Sequence, residues 1–206
     1  MNNTELIEKT KLNDGKKIDN KYENPFDVLL IIMSNKLGKL FYKLNFTPNM
    51  ITTLSILISL IGIQFIYNKK YKIGAILYYI GYFFDCMDGN YARQYNMTSN
   101  FGDLYDHIGD AFKVIFLLIC LYLLKIKKRT KIVFIIISLI LGLLSLIHLG
   151  CQEKIKNSDD ISVLDNFKIL CKNHNNIIYT RYFGTGTSQL FISLYIFLIK
   201  SIDNLL

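Results

Sequence analysis

The sequence predicts an all-α integral membrane protein, a polytopic bundle of about five to six transmembrane helices preceded by an amphipathic surface helix. Three observations carry that prediction. Of 206 residues, 51% are hydrophobic and the mean hydropathy is +0.29, values of a small membrane protein rather than a soluble domain. Long apolar runs recur from residue 50 to the end of the chain. Lys and Arg gather in the short segments between those runs. The net charge of +8 therefore reads as juxtamembrane attraction to anionic lipid and not as a nucleic-acid surface.

Residues 1–24 are a polar N-terminal segment expected to be mobile; they lack the apolar core of a signal peptide, so targeting falls to the first membrane helix. Residues 25–206 are expected to form one membrane domain. In NPFDVLLIIMSNKLGKLFYKL, the residues Phe26, Leu29, Leu30, Met33, Leu37, Leu40, Phe41 and Leu44 recur at helical spacing, interrupted by Lys36, Lys39 and Lys43. That pattern predicts an amphipathic helix over 26–44 lying on the membrane surface. In FTPN, Thr47 or Asn49 can cap the next helix and Pro48 suits its entrance.

Spans are expected near 50–67, 73–88, 103–124, 132–150 and 183–200. The first is an uncharged run. The apolar part of the second, 73–84, is too short to cross about 30 Å of hydrocarbon, which needs roughly 20 residues. That helix must run on through Asp85 and Asp88. The third has the mirror problem: its apolar part is 114–124, so it must begin near Gly102 and carry Asp106 and Asp110. Residues 125–131 read as a tight basic turn, and 151–181 as a polar stretch with a surface helix over 161–172. Four cysteines, at 86, 120, 151 and 171, show no CxxC spacing and indicate neither a zinc site nor a disulfide framework. With the N-terminus inside, the acidic segment and 151–181 face the cytoplasm, with 14 Lys and Arg on that side against eight in the opposite turns.

The segment DCMDGNYARQYNMTSNFGDLYDHIGD, 85–110, puts carboxylates where hydrocarbon should be, at a cost that only pairing or a metal offsets. Asp85 and Asp88 are three apart on one helix, and Asp106 and Asp110 four apart on the next, so each pair shares a face. Four converging carboxylates repel one another unless a cation sits among them. Oxygen ligands alone select Mg²⁺ or Mn²⁺ over zinc, and four carboxylates suit two ions, a clamp used in phosphoryl transfer. Gly89 and Ala92 leave room for close approach, Arg93 can grip phosphate, and Gly102 marks the turn into the third helix. Asp103 reads as a helix-start charge. His107 abuts Asp106 and could orient a ligand, against the reading that it is a sequence neighbour only; His148 is expected at the membrane interface.

The pattern D-x2-D-G-x2-A-R-x8-G-x3-D-x3-D resembles the signature of the CDP-alcohol phosphotransferase family, the class-I CDP-alcohol phosphatidyltransferases, and TPNMIT (47–52) is similar to the family's PN-x2-T helix entry. The resemblance covers residues 26–150. It implies a membrane transferase of phospholipid biosynthesis that moves a substituted phosphate from a CDP-alcohol to an acceptor hydroxyl and releases CMP. It further implies two divalent cations, Mg²⁺ or Mn²⁺, at Asp85, Asp88, Asp106 and Asp110, with Asp110 as general base. Gly89, Ala92, Arg93 and Gly102 would border the CDP diphosphate, and Asn49 and Thr52 would reach toward the cytidine. The family usually has six spans where this chain shows five, which leaves the acceptor end incomplete. GTGTSQ (184–189) resembles a stretch near the acceptor pocket of several members, making Arg181 and Gln189 a candidate acceptor site, against a flexible helix entrance with a snorkelling Arg. The substrates implied are CDP-diacylglycerol with a small polar alcohol, or CDP-choline or CDP-ethanolamine with diacylglycerol; Asp106-His107 is reminiscent of the latter branch. The resemblance also implies a homodimer. Two readings of another class are a divalent-cation transporter, which needs no G-x2-A-R, and a catalytically inactive scaffold, against which the intact motif stands.

Overall fold

The computed structural model describes residues 15–156 and 163–206. Among them there are seven α-helices and no strand: α1 (Pro25–Lys43), α2 (Pro48–Tyr67), α3 (Tyr71–Gln94), α4 (Asn100–Leu123), α5 (Lys128–Ile155), α6 (Ile177–Thr180) and α7 (Thr185–Leu205). Short 3₁₀ turns over Val163–Leu170, His174–Asn176 and Arg181–Phe183 link α5 to α7. Three stretches are long and apolar enough to cross a membrane: Pro48–Tyr67, Lys128–Ile155 and Ile177–Leu205. The acids of 85–110 dilute the apolar character of α3 and α4, although each is 24 residues and so about 36 Å long.

Local chemistry sets the helix ends. The Asn24 side chain caps α1 by accepting from the Phe26 N–H (3.0 Å), Thr47 caps α2 from Met50 (3.3 Å), and Ser99 caps α4 from Gly102 (3.0 Å). Pro25 and Pro48 follow their caps at the first helical position, where a missing N–H costs nothing. The three reversals after α1, α2 and α3 each turn on a left-handed residue, Asn45, Lys69 and Asn96. The basic turn expected over 125–131 is shorter, because α5 already starts at Lys128. The surface helix expected over 161–172 is a 3₁₀ turn over Val163–Leu170, and residues 161–162 lie outside the described residues.

The apolar core fills one half of the bundle: Ile63 and Ile66 of α2, Ala75 and Tyr78 of α3, Leu117 and Leu121 of α4, Phe134 of α5, and Ile196 and Ile199 of α7. These residues come from the ends of the helices away from the acidic segment. The other half is held by polar contacts. His148 is buried there; its ring meets Thr180 Oγ1 (3.2 Å) and Gln152 Nε2 (3.1 Å). Helix α5 continues beyond it for two more turns, which brings that end under the N-terminal segment. Residues 15–24, expected to be mobile, pack in: Ile18 is buried against Cys151, Cys171 and Ile177, and Lys17 pairs with Glu153. Residues 1–14 lie outside the described residues. Cys151 and Cys171 form a disulfide with their Cα atoms 5.0 Å apart, which corrects the sequence expectation. Spacing along the chain could not show it, because the pair meets only when the 3₁₀ segment folds back on α5.

Helix α1 turns Asp27, Leu30, Ile31, Ser34 and Gly38 inward and leaves Leu29, Met33 and Leu40 more than half exposed. Its buried Asp27 accepts from the Tyr82 hydroxyl (2.6 Å) on α3 and from the Gly186 N–H (3.1 Å) on α7. Burial pushes this carboxyl up to about 7, and the Glu23 carboxylate adds to the shift. The folded protein thus holds a proton that the unfolded chain releases near pH 4, so this group's contribution falls as pH rises from about 4 to about 7. Asn at this position can donate to Tyr82 and accept from Gly186. Asp27→Asn is therefore expected to flatten the pH dependence of the unfolding temperature over that window; an unchanged slope would refute it.

Candidate active site

Helix α2 packs on both α3 and α4 and acts as their common support. The helical offsets place the chemistry in two layers. In the upper layer, Thr52 of α2 donates its hydroxyl to Asp88 Oδ2 of α3 (2.6 Å), and Asp106 of α4 stands beside them. One turn deeper are Ser55, Asp85 and Asp110.

Asp85, Asp88 and Asp106 each offer a carboxylate oxygen within 4.8 Å of the others, and Asp106, His107 and Asp110 form a second group at the same limit. Asp106 belongs to both. Its Oδ1 is buried and has no hydrogen-bond partner, an arrangement that costs free energy unless something fills it. An all-carboxylate set with an orphaned oxygen fits a hard divalent cation. His107 is more than a sequence neighbour: it joins the second group, and its Nε2 lies 3.5 Å from Asp103. Asp103 is in the first turn of α4, as read from the sequence, and also accepts the Val163 N–H (2.9 Å), tying the 3₁₀ segment to the site.

A cavity of about 320 Å³ opens over the upper layer. Thr52, Asp88, Gly89 and Ala92 line it, with Asn49, Arg93, Gly102 and Asp106. All the residues proposed around the diphosphate and the cytidine thus border one space. Gly89 has a local reason: a Cβ there would lie 3.3 Å from the Arg93 guanidinium, which rests against that face of α3 while its Nε donates to the Gly15 carbonyl (2.7 Å). Asp85 and Asp110 are not among the lining residues.

Arg181 and Gln189 are not brought to the cavity. The Arg181 guanidinium donates to the Lys21 carbonyl and lies over the Tyr182 ring. Gly184 and Gly186 of the same stretch press against Asn24 and Asp27, so that GTGTSQ receives the start of α1. Sequence reasoning missed three participants. Lys17 and Lys156 line the cavity, and both pair with Glu153. Lys113 pairs with Asp85 and Asp110 (2.8 Å to the latter). A signal for Lys113 existed: it is three residues after Asp110 at the head of an apolar run, a costly position for an unpaired cation. Lys17 and Lys156 gave none, because only the tertiary fold joins residue 17 to the end of α5.

These features define a helical membrane protein with an acid-lined cavity of about 320 Å³ between three helices. The family model for CDP-alcohol phosphatidyltransferases matches residues 45–201, and the chain belongs to that family. Its members are transferases that carry out phosphotransfer from a CDP-alcohol to an alcohol acceptor in phospholipid synthesis, and they use divalent cations. No curated protein matches the chain.

Proposed function

We propose that this protein transfers the alcohol-bearing phosphoryl group of a CDP-alcohol to an acceptor hydroxyl, releasing CMP, at the Asp85–Asp88–Asp106–Asp110 site. The observation that carries the reading is the pair of acid groups sharing Asp106 beneath a cavity bordered by Arg93. Arg93 and the α3 face opened by Gly89 and Ala92 hold the diphosphate, with Gly102 across the cavity and Asn49 and Thr52 toward the base. Two Mg²⁺ or Mn²⁺ ions held by the four Asp would neutralise the charge that develops on the phosphoryl oxygens. Asp110 accepts the proton of the acceptor hydroxyl at a carboxylate oxygen. The acceptor oxygen bonds to the phosphorus carrying the alcohol, the bond from that phosphorus to the CMP oxygen breaks, and CMP leaves with the electron pair.

Residues 25–206 act as one multi-pass membrane domain in this reading. Helices α3 and α4 count as spans by length, giving five, and α1 lies in the interface on its exposed Leu29, Met33 and Leu40. The site faces the cytoplasm on the Lys and Arg balance of 14 to eight. The Cys151–Cys171 disulfide at the same end of the bundle favours the opposite face, since such bonds are rare in reducing compartments. Labelling a single Cys at Asn45 with a membrane-impermeant maleimide, on intact cells and on inverted vesicles, decides between the two.

The activity is tested by CMP release from purified protein with Mg²⁺ or Mn²⁺. CDP-diacylglycerol is offered with inositol, serine or glycerol 3-phosphate; CDP-choline or CDP-ethanolamine is offered with diacylglycerol. Metal-dependent release that is lost in Asp110→Asn is the expected result and names the substrate pair. Folded protein that binds Mn²⁺ and releases no CMP with any pair would overturn the reading.

A further inference from the structure

The lower layer of the site contains a cation supplied by the chain itself. Lys113 lies one helical turn beyond Asp110 on α4, on the side away from the cavity mouth, and it is buried. Its ammonium group has three protons to donate and finds three acceptors, one from each helix of the site. They are Ser55 Oγ of α2 (3.3 Å), Asp85 Oδ1 of α3, and Asp110 Oδ1 of α4 (2.8 Å). Asp85 Oδ1 also faces Ser55 Oγ at 3.4 Å. In the upper layer Asp88 is met by a hydroxyl and a backbone N–H, and Asp106 Oδ1 by no hydrogen-bond donor.

We propose that Lys113 is a positioning residue of this site, whose ammonium group pins Asp85 and Asp110 beneath the cavity and tempers the pull of the acid cluster on a divalent cation. The proposal rests on the cation-binding reading given above. Two physical consequences follow from the geometry. A carboxylate held by a charge-assisted bond keeps its orientation without a metal, so Asp110 stands ready for an acceptor before the cations arrive. A fixed positive charge among the four acids also offsets part of their field, and at these separations one unit charge is a large term. Removing it leaves the metal-free site self-repelling and gives an incoming cation more to gain.

The test is Mn²⁺ binding by the full-length protein in detergent, followed by titration calorimetry and by the unfolding temperature with and without Mn²⁺. The proteins compared are the wild type, Lys113→Met, Lys113→Gln and Lys113→Arg. The neutral variants are expected to unfold at lower temperature without Mn²⁺, to bind it on the order of ten-fold more tightly, and to gain more from it in unfolding temperature than the wild type. Lys113→Arg, which keeps the charge, should bind Mn²⁺ as the wild type does. CMP release should fall in both neutral variants and recover in Lys113→Arg. A packing role alone would lower the unfolding temperature and leave Mn²⁺ affinity unchanged; that result, or weaker Mn²⁺ binding in the neutral variants, overturns the proposal while the site reading stands. Should Lys113→Met fail to fold, Lys113→Gln carries the comparison, since it retains donors for both carboxylates. A wild type that binds no Mn²⁺ would instead overturn the site reading itself.

Discussion

Asp106→Asn is expected to reduce CMP release by about 10²- to 10³-fold, the scale on which electrostatic stabilisation of a transferring group is lost. Asp106 is chosen over its partners because it belongs to both acid groups, so one substitution removes a ligand from each. Its Oδ1 has no hydrogen-bond partner within the protein. The metal-free variant should therefore unfold at the same temperature as the wild type or higher, because a buried charge among like charges is removed and no satisfied contact is broken. Activity and stability are predicted to move apart. A variant that loses both together would place Asp106 in the scaffold and not in the chemistry.

Gly74→Val is expected to do the reverse, destabilising the fold by about 3 kcal/mol without touching a site residue. Helices α2 and α3 cross with backbone against backbone where Gly62 meets Gly74. A Cβ on Gly74 would stand 2.7 Å from the Gly62 carbonyl oxygen and 2.9 Å from the Ile66 nitrogen. Backbone cannot turn aside as a side chain does, so the helices must separate, and α2 is also the support on which α4 rests. Gly142→Ala serves as the control: nothing lies within 4 Å of its added Cβ, and the exchange gains about 1 kcal/mol in helix propensity. Thermal unfolding in detergent separates the two. Equal unfolding temperatures for Gly74→Val and wild type would show that the crossing relaxes more easily than its contacts imply.

The helices were legible because period and caps are local. Thr47 and Pro48 stand where helix chemistry requires them, and the shortage of apolar residues in 73–84 and 114–124 already required α3 and α4 to extend through the acids. The acid cluster was legible for the same reason, since offsets of three and four residues fix the face of a helix whatever surrounds it. Its deeper half was read only in part. Asp85 and Asp110 are evident as paired acids, while Lys113, which joins them, stands just before the apolar run 114–124, and no spacing rule ties it to Asp85 on the preceding helix.

Contacts that depend on distant chain were not legible. Arg181 and Gln189 share a suggestive stretch with two glycines, yet those glycines serve the close approach of Asn24 and Asp27. His148 ends an apolar run in the sequence, while in the fold it is enclosed by Gln152 and Thr180. The sequence by itself determined the long helices, their membrane character and the faces on which the four carboxylates gather, because each follows from spacing within a few turns. Only the tertiary structure decided that residues 15–24 close over the end of α5, that Cys151 meets Cys171, and that Lys113 bridges Asp85 and Asp110. Those contacts join residues from 3 to 136 positions apart, and they form because buried charges and polar groups must find partners wherever the packed helices offer them.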